Sequence, residues 1–113
     1  MPKEMSEYVR QNSQNSTITI ITPEWFDLNL TYYLKPNWFN NIDHLKDSMM
    51  INNFIAINKA ENIPNLNLTL PAILIDNSGK ENSVRSFMLS KYEISSEKEF
   101  GGNLKVILLN PKH

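Results

Sequence analysis

Apolar and polar residues in this chain alternate more often than they recur every third or fourth position. Thr17, Ile18, Thr19, Ile20, Ile21 and Thr22 form an unbroken β-branched run. Such residues suit a pleated surface better than a helix. Beyond Pro23, Phe26, Leu28, Leu30, Tyr32 and Leu34 share one parity, while Asp27, Asn29, Thr31 and Lys35 share the other. That alternation predicts a half-buried antiparallel strand, ended by Pro36. Ile55 and Ile57 mark a short strand within Ile51 to Asn58. Leu66, Leu68 and Leu70 alternate with Asn65, Asn67 and Thr69, and Pro71 restricts this strand to an edge or a break.

Ala72 to Ile75 resumes extended structure. Asp76-Asn77-Ser78-Gly79 predicts a turn, because Asx side chains nucleate turns and glycine supplies positive φ. Val84 to Leu89 then reads as the returning strand, and residues 90–99 as a charged, irregular connection. Gly101-Gly102 precedes a terminal strand, Leu104 to Leu109, closed by Asn110 and Pro111.

Two segments break the alternation. In residues 40–50, Asn40 or Asn41 offers a cap, Asp43 sits in the first turn, and Ile42, Leu45 and Met49 recur at helical spacing. One short helix inserted between strands is the reading. Residues 1–15 are polar, with Gln11, Asn12, Ser13, Gln14 and Asn15 in succession, and read as a flexible leader with at most a helical turn from Met5 to Arg10. The remainder, residues 16–113, is expected to be a single domain. Six or seven short strands, turns between them and one helix predict a mainly β fold, an antiparallel β-sandwich of two sheets.

The chain has 113 residues, enough for one core without staples. It has no cysteine, which removes disulfides, thiolate zinc sites and thiol nucleophiles. Eleven Lys and Arg against 12 Asp and Glu leave a net charge of −1, with both signs scattered. A nucleic-acid partner would call for a basic face, so none is expected. The longest apolar runs, Phe54 to Ile57, Ala72 to Ile75 and Val106 to Leu109, have four residues each and are far too short to span a bilayer.

Catalytic chemistry finds little footing. Asp43 and Asp47 share a helical face at i, i+4, but His44 is turned about 100° from Asp43, and a solvated helix face explains all three. No G-x-S-x-G elbow is present, and three glycines in the whole chain make no phosphate-cradling loop. The expectation is a non-enzymatic protein with no cofactor and no metal. Trp25, Tyr33, Trp38 and Phe39 are the candidate partner-binding residues. Trp25 and Tyr33 lie on the parity opposite the apolar face of the long strand, and Trp38 and Phe39 precede the helix. Such side chains carry large apolar area with a polar handle and suit an interface. Packing beneath the inserted helix or the leader is the plainer alternative.

Tyr32-Tyr33-Leu34-Lys35, then Phe39, Asn41-Ile42-Asp43 and Leu45, resembles a stretch near the helix insertion of the TssJ family, the outer-membrane lipoproteins of bacterial type VI secretion systems. Pro64-Asn65-Leu66-Asn67-Leu68 falls where that family turns into a strand, and Leu104-Lys105-Val106 resembles its closing strand. The resemblance spans residues 17–109. It implies a transthyretin-like sandwich held at the periplasmic face of the outer membrane by a lipidated cysteine upstream of Met1. The implied partner is TssM, the large inner-membrane secretion component. Two departures stand out. The family's partner-binding loop would shrink to Thr22-Pro23-Glu24-Trp25, and its paired phenylalanines after the aspartate are His44 and Leu45 here. The expected function is a structural subunit of a secretion or envelope assembly. The alternative is a free-standing, cytoplasmic protein-binding module, such as an immunity or inhibitor protein.

Overall fold

The computed structural model describes residues 2–13, 17–23 and 54–112. Five strands form one mixed sheet: β1 (Ile18–Thr22), β2 (Phe54–Ala56), β3 (Ala72–Asp76), β4 (Tyr92–Glu99) and β5 (Lys105–Pro111). Their spatial order is β2-β1-β3-β5-β4. β1 lies parallel to both β2 and β3, whereas β5 runs antiparallel to β3 and β4. Helix α1 (Pro2–Asn12) precedes the sheet, and α2 (Ser83–Lys91) connects β3 to β4.

The expected antiparallel sandwich, transthyretin-like in the form the TssJ resemblance implied, is thereby corrected to a single mixed sheet flanked by helices. The reason lies in β1 and β3, which are buried at all five positions along their length. A strand of a sandwich hides one face. A strand covered on both faces reads instead as a continuous apolar, β-branched run, which is what Ile18 to Ile21 and Ala72 to Ile75 are.

Residues expected to form a flexible leader are helical from Pro2 to Asn12, and Met5 and Val9 are 0% and 1% exposed. These two sit one turn apart and lie against Ile21, Phe54, Ile73, Ile75, Leu104 and Val106. The polar residues that suggested disorder serve the helix end. Asn12 Nδ2 donates to the Tyr8 carbonyl at 2.8 Å, and Ser13 Oγ donates at 2.6 Å to the Val9 carbonyl, one of the four at the helix's C-terminal end. Burying Met5 and Val9 supplies roughly 1.5–3 kcal/mol each, enough to hold a short helix that would be marginal alone.

The opposite face gathers Ile18, Ile20, Ile55, Ile57, Leu74, Ile107 and Leu109 beneath Val84 and Met88 of α2. Val84 to Leu89 was expected as a strand. It is helix because Asn82 caps it, its Oδ1 accepting from Arg85 N at 2.8 Å, and because Val84 and Met88 fall at i, i+4. Leu66, Leu68 and Leu70 also belong to this face as half-buried residues, but their segment pairs with no described strand. Their alternation belongs to an irregular segment laid over the sheet, which turns at residues 67–70 where Leu70 N donates to the Asn67 carbonyl at 3.1 Å. Tyr92 pins it there, its hydroxyl donating to the Leu70 carbonyl at 2.9 Å.

Residues 90–99, expected to be irregular, contain the last two residues of α2 and all of β4. Gly101 and Gly102, both at positive φ, turn β4 into β5. The one-sided strand expected from Phe26 to Leu34 and the helix expected in residues 40–50 lie outside the described residues.

Met5→Ala tests whether α1 is part of the core. A docked helix predicts a loss of about 2–5 kcal/mol in urea unfolding, whereas an unattached leader predicts no change. Tyr92 makes a second test. Burial pushes its phenol above the ordinary tyrosine pKa, so the unfolded chain releases that proton first. Stability should be intact below about pH 10 and fall as pH rises beyond it. Tyr92→Phe should cost about 0.5–1.5 kcal/mol at neutral pH and flatten the alkaline decline. Equal declines in both proteins would exclude Tyr92 as the cause.

Candidate functional site

Two places on the described surface bring polar groups together. The first lies at the C-terminal ends of β1 and β3. β2, the next described strand after β1, lies on one side of the β1–β3 pair and β4, the next after β3, on the other, a divergence beside which open α/β sheets commonly bind ligands. Asp76 closes β3 there and is 3% exposed. Its carboxylate is already occupied. Oδ1 accepts from Ser78 N at 2.8 Å and Ser78 Oγ at 2.6 Å, and Oδ2 accepts from Asn82 Nδ2 at 3.1 Å. Asn82 in turn caps α2, so one carboxylate ties the strand end to the helix start. Gly79 completes the turn at φ 72°, and any Cβ there would run into the Asn103 side chain of the β4–β5 turn.

A cavity of about 280 Å³ opens beside this turn, with Lys80, Arg85 and Lys105 among its walls. Two of these cations already face a carboxylate. Arg85 and Lys105 face Glu97, at 3.9 and 3.4 Å, and the Arg85 Nε is both without a partner and shut away from solvent. A donor that water cannot touch does not reach a ligand in the cavity. Among the described residues no group of three or more His, Cys, Asp or Glu is placed to hold a metal ion. The arrangement organises a loop.

The second place is β4, which ends the sheet. Tyr92 is buried, but every residue from Glu93 to Glu99 is exposed, and among the described residues no strand pairs with its outer side. Its inner side follows β5 from Tyr92↔Pro111 to Glu99↔Lys105, interrupted by a bulge between Ile94 and Ser96. The two faces differ in chemistry. On the α2 side stand Ile94, 47% exposed, then Glu97 and Glu99, which share Lys105 at 3.4 and 3.7 Å. On the α1 side the Lys98 ammonium lies 5.2 Å from the Tyr8 ring and 5.3 Å from the Phe100 ring. Those rings are tilted 57° at 5.5 Å from each other, and the Tyr8 and Ser96 hydroxyls meet at 3.4 Å. A cation between two aromatic faces is worth about 0.5–1 kcal/mol when exposed, so Lys98 helps seat α1 at the rim.

The four aromatic residues expected to bind a partner, Trp25, Tyr33, Trp38 and Phe39, lie outside the described residues, as do Asp43, His44, Asp47 and His113. Sequence reasoning passed over β4 because its residues are nearly all polar. The available signal was the glycine pair at 101–102 ahead of a strand, which marks a hairpin and so requires a strand before it. No family model, curated protein or solved structure matches the chain.

Asp76→Ala separates a structural carboxylate from a ligand-binding one. Removing it strands donors on Ser78 and Asn82, and urea unfolding should register a loss of about 1–3 kcal/mol. A gain in stability on removal, the usual mark of a residue held in place for function, would return Asp76 to the list of site candidates.

Proposed function

We propose that this chain is a protein-binding module that takes up an extended segment of a partner along the outer edge of β4, adding a sixth strand to its sheet. The observation that carries this reading is an eight-residue strand whose outer side pairs with no strand among the described residues, exposed along seven of its residues, at the rim of a sheet whose β1 and β3 are buried throughout. In strand addition the main chain provides affinity and alternate side chains provide selectivity. Ile94 supplies an apolar contact near the start of the edge.

Charges along an edge also guard against indiscriminate pairing, as does a bulge. Proteins that only guard an edge commonly shorten it or cover it. β2, on the opposite rim, runs only from Phe54 to Ala56. β4 is neither shortened nor covered among the described residues. Guarding explains its charges, but its length supports use.

This reading keeps the binding role expected from the sequence and moves it from the aromatic residues to a strand edge. Placement in a secretion assembly at the outer membrane, with TssM as partner, came from the TssJ resemblance, and the sandwich implied with it has given way to a mixed sheet. That placement forms no part of the proposal. Among the described residues no helix is long and apolar enough to cross a membrane.

Photo-crosslinking in cells that express the protein tests the edge. Benzoylphenylalanine replaces Ser95, at the bulge, or Glu61, exposed on the short 3-10 turn Ala60–Asn62 away from the sheet rim. A discrete partner should be trapped from position 95 and not from 61. The trapped stretch should lack proline, and its binding should slow amide exchange in residues 92–99. Identical products from both positions, or a bound partner that leaves exchange in β4 unchanged, would refute the edge.

A further inference from the structure

We propose that the β4 edge selects a heterologous strand in which cations alternate with apolar residues, and that it rejects a second copy of this chain. This rests on the edge-binding reading above. Glu97 and Glu99 stand two residues apart on the α2 side, opposite Ile107 and Lys105 of β5. From the inner flank they share one lysine, with Arg85 near Glu97 alone. A carboxylate offers about four acceptor positions, so both retain capacity for donors arriving from outside. Glu99 is 71% exposed. On the α1 side the same stretch presents Ser96 and Lys98, the latter against Tyr8 and Phe100.

An added strand sends successive side chains to opposite faces. Cations on one parity therefore meet Glu97 and Glu99, whereas cations on the other meet Lys98. Apolar residues suit that second parity, where aromatic rings and the lysine stem offer cover. The rule is the same for a parallel or an antiparallel arrival.

A second copy breaks it. A two-fold pair of β4 strands centred on Glu97 sets that residue against its own copy. Centring on Lys98 sets lysine against lysine and Glu97 against Glu99. Like charges directly opposite one another destabilise strand pairs. The bulge at Ser95 interrupts regular pairing toward Glu93.

Three end-blocked seven-residue peptides test the rule: Lys-Val-Lys-Val-Lys-Val-Lys and its counterparts with Glu or Gln in place of Lys. Each reads the same in both directions. They are titrated into the intact protein while backbone amide shifts are followed by NMR. Shifts should centre on residues 92–99, with the lysine peptide binding roughly 2- to 30-fold more tightly than the glutamine peptide, as two cross-strand charge pairs allow. The glutamate peptide should bind most weakly. The lysine preference should shrink in high salt and in the Glu97→Gln/Glu99→Gln protein. Glu99→Gln alone, at the more exposed position, should remove part of it and serves if the double variant folds poorly.

Equal binding of the lysine and glutamine peptides, or tightest binding of the glutamate peptide, overturns the charge rule and leaves the edge reading standing. The lysine peptide N-methylated on either parity keeps its charge. If both methylated forms bind as well as the parent, or no peptide shifts β4, the edge reading itself falls. Sedimentation should show a monomer, and a dimer abolished by Ile94→Asp would overturn the exclusion of a second copy.

Discussion

Burial of β1 and β3 on both faces is the constraint on which this molecule depends. Two adjacent parallel strands with no exposed position along their length leave the centre of the sheet no wet side. Each face must then be covered, and the chain covers them with different material. On one side α1 contributes Met5 and Val9. On the other, Val84 and Met88 of α2 share the work with Leu66, Leu68 and Leu70 of an irregular segment. Tyr92 joins the systems on that second face, since it begins β4, lies in the core and holds the Leu70 carbonyl.

The same constraint concentrates unsatisfied backbone at the rim. Interior strands pair on both sides, so the unpaired amides and carbonyls of the sheet collect on its edges. β4 carries the longer described edge. Its side chains are polar because water reaches both of its faces, not because the segment lacks structure. The bulge at Ser95, the carboxylates shared by Lys105 and the seating of Lys98 between two rings all fall on this strand. The polar cluster around Asp76 has the opposite character. Its hydrogen bonds close on one another and on the cap of α2, so the carboxylate is spent on the fold.

Where the sequence misled, the cause can be named at particular residues. Leu66, Leu68 and Leu70 alternate as a strand does, yet an irregular segment with a turn at residues 67–70 buries the same three side chains without a ladder. Asn82 ahead of Val84 and Met88 carried a capped-helix signal, but the six residues from Val84 to Leu89 are short enough to read either way. The polar leader hid a helix because two buried side chains, Met5 and Val9, suffice when a finished sheet stands ready to receive them. No local pattern announces that sheet.

Local residue order alone determined that Ile18 to Ile21, Ala72 to Ile75 and Val106 to Leu109 are extended and that Asp76 to Gly79 is a turn, and composition removed cysteine chemistry from these 113 residues. Steric preference and turn chemistry act over a few residues and are written where they act. The tertiary structure decided strand direction, strand order, the docking of α1 and the placing of β4 at the edge of the described sheet. Those depend on which surfaces meet across the chain: Ile20 has the same β-branched shape whether its neighbour is parallel or antiparallel, and only the partner strand settles the difference.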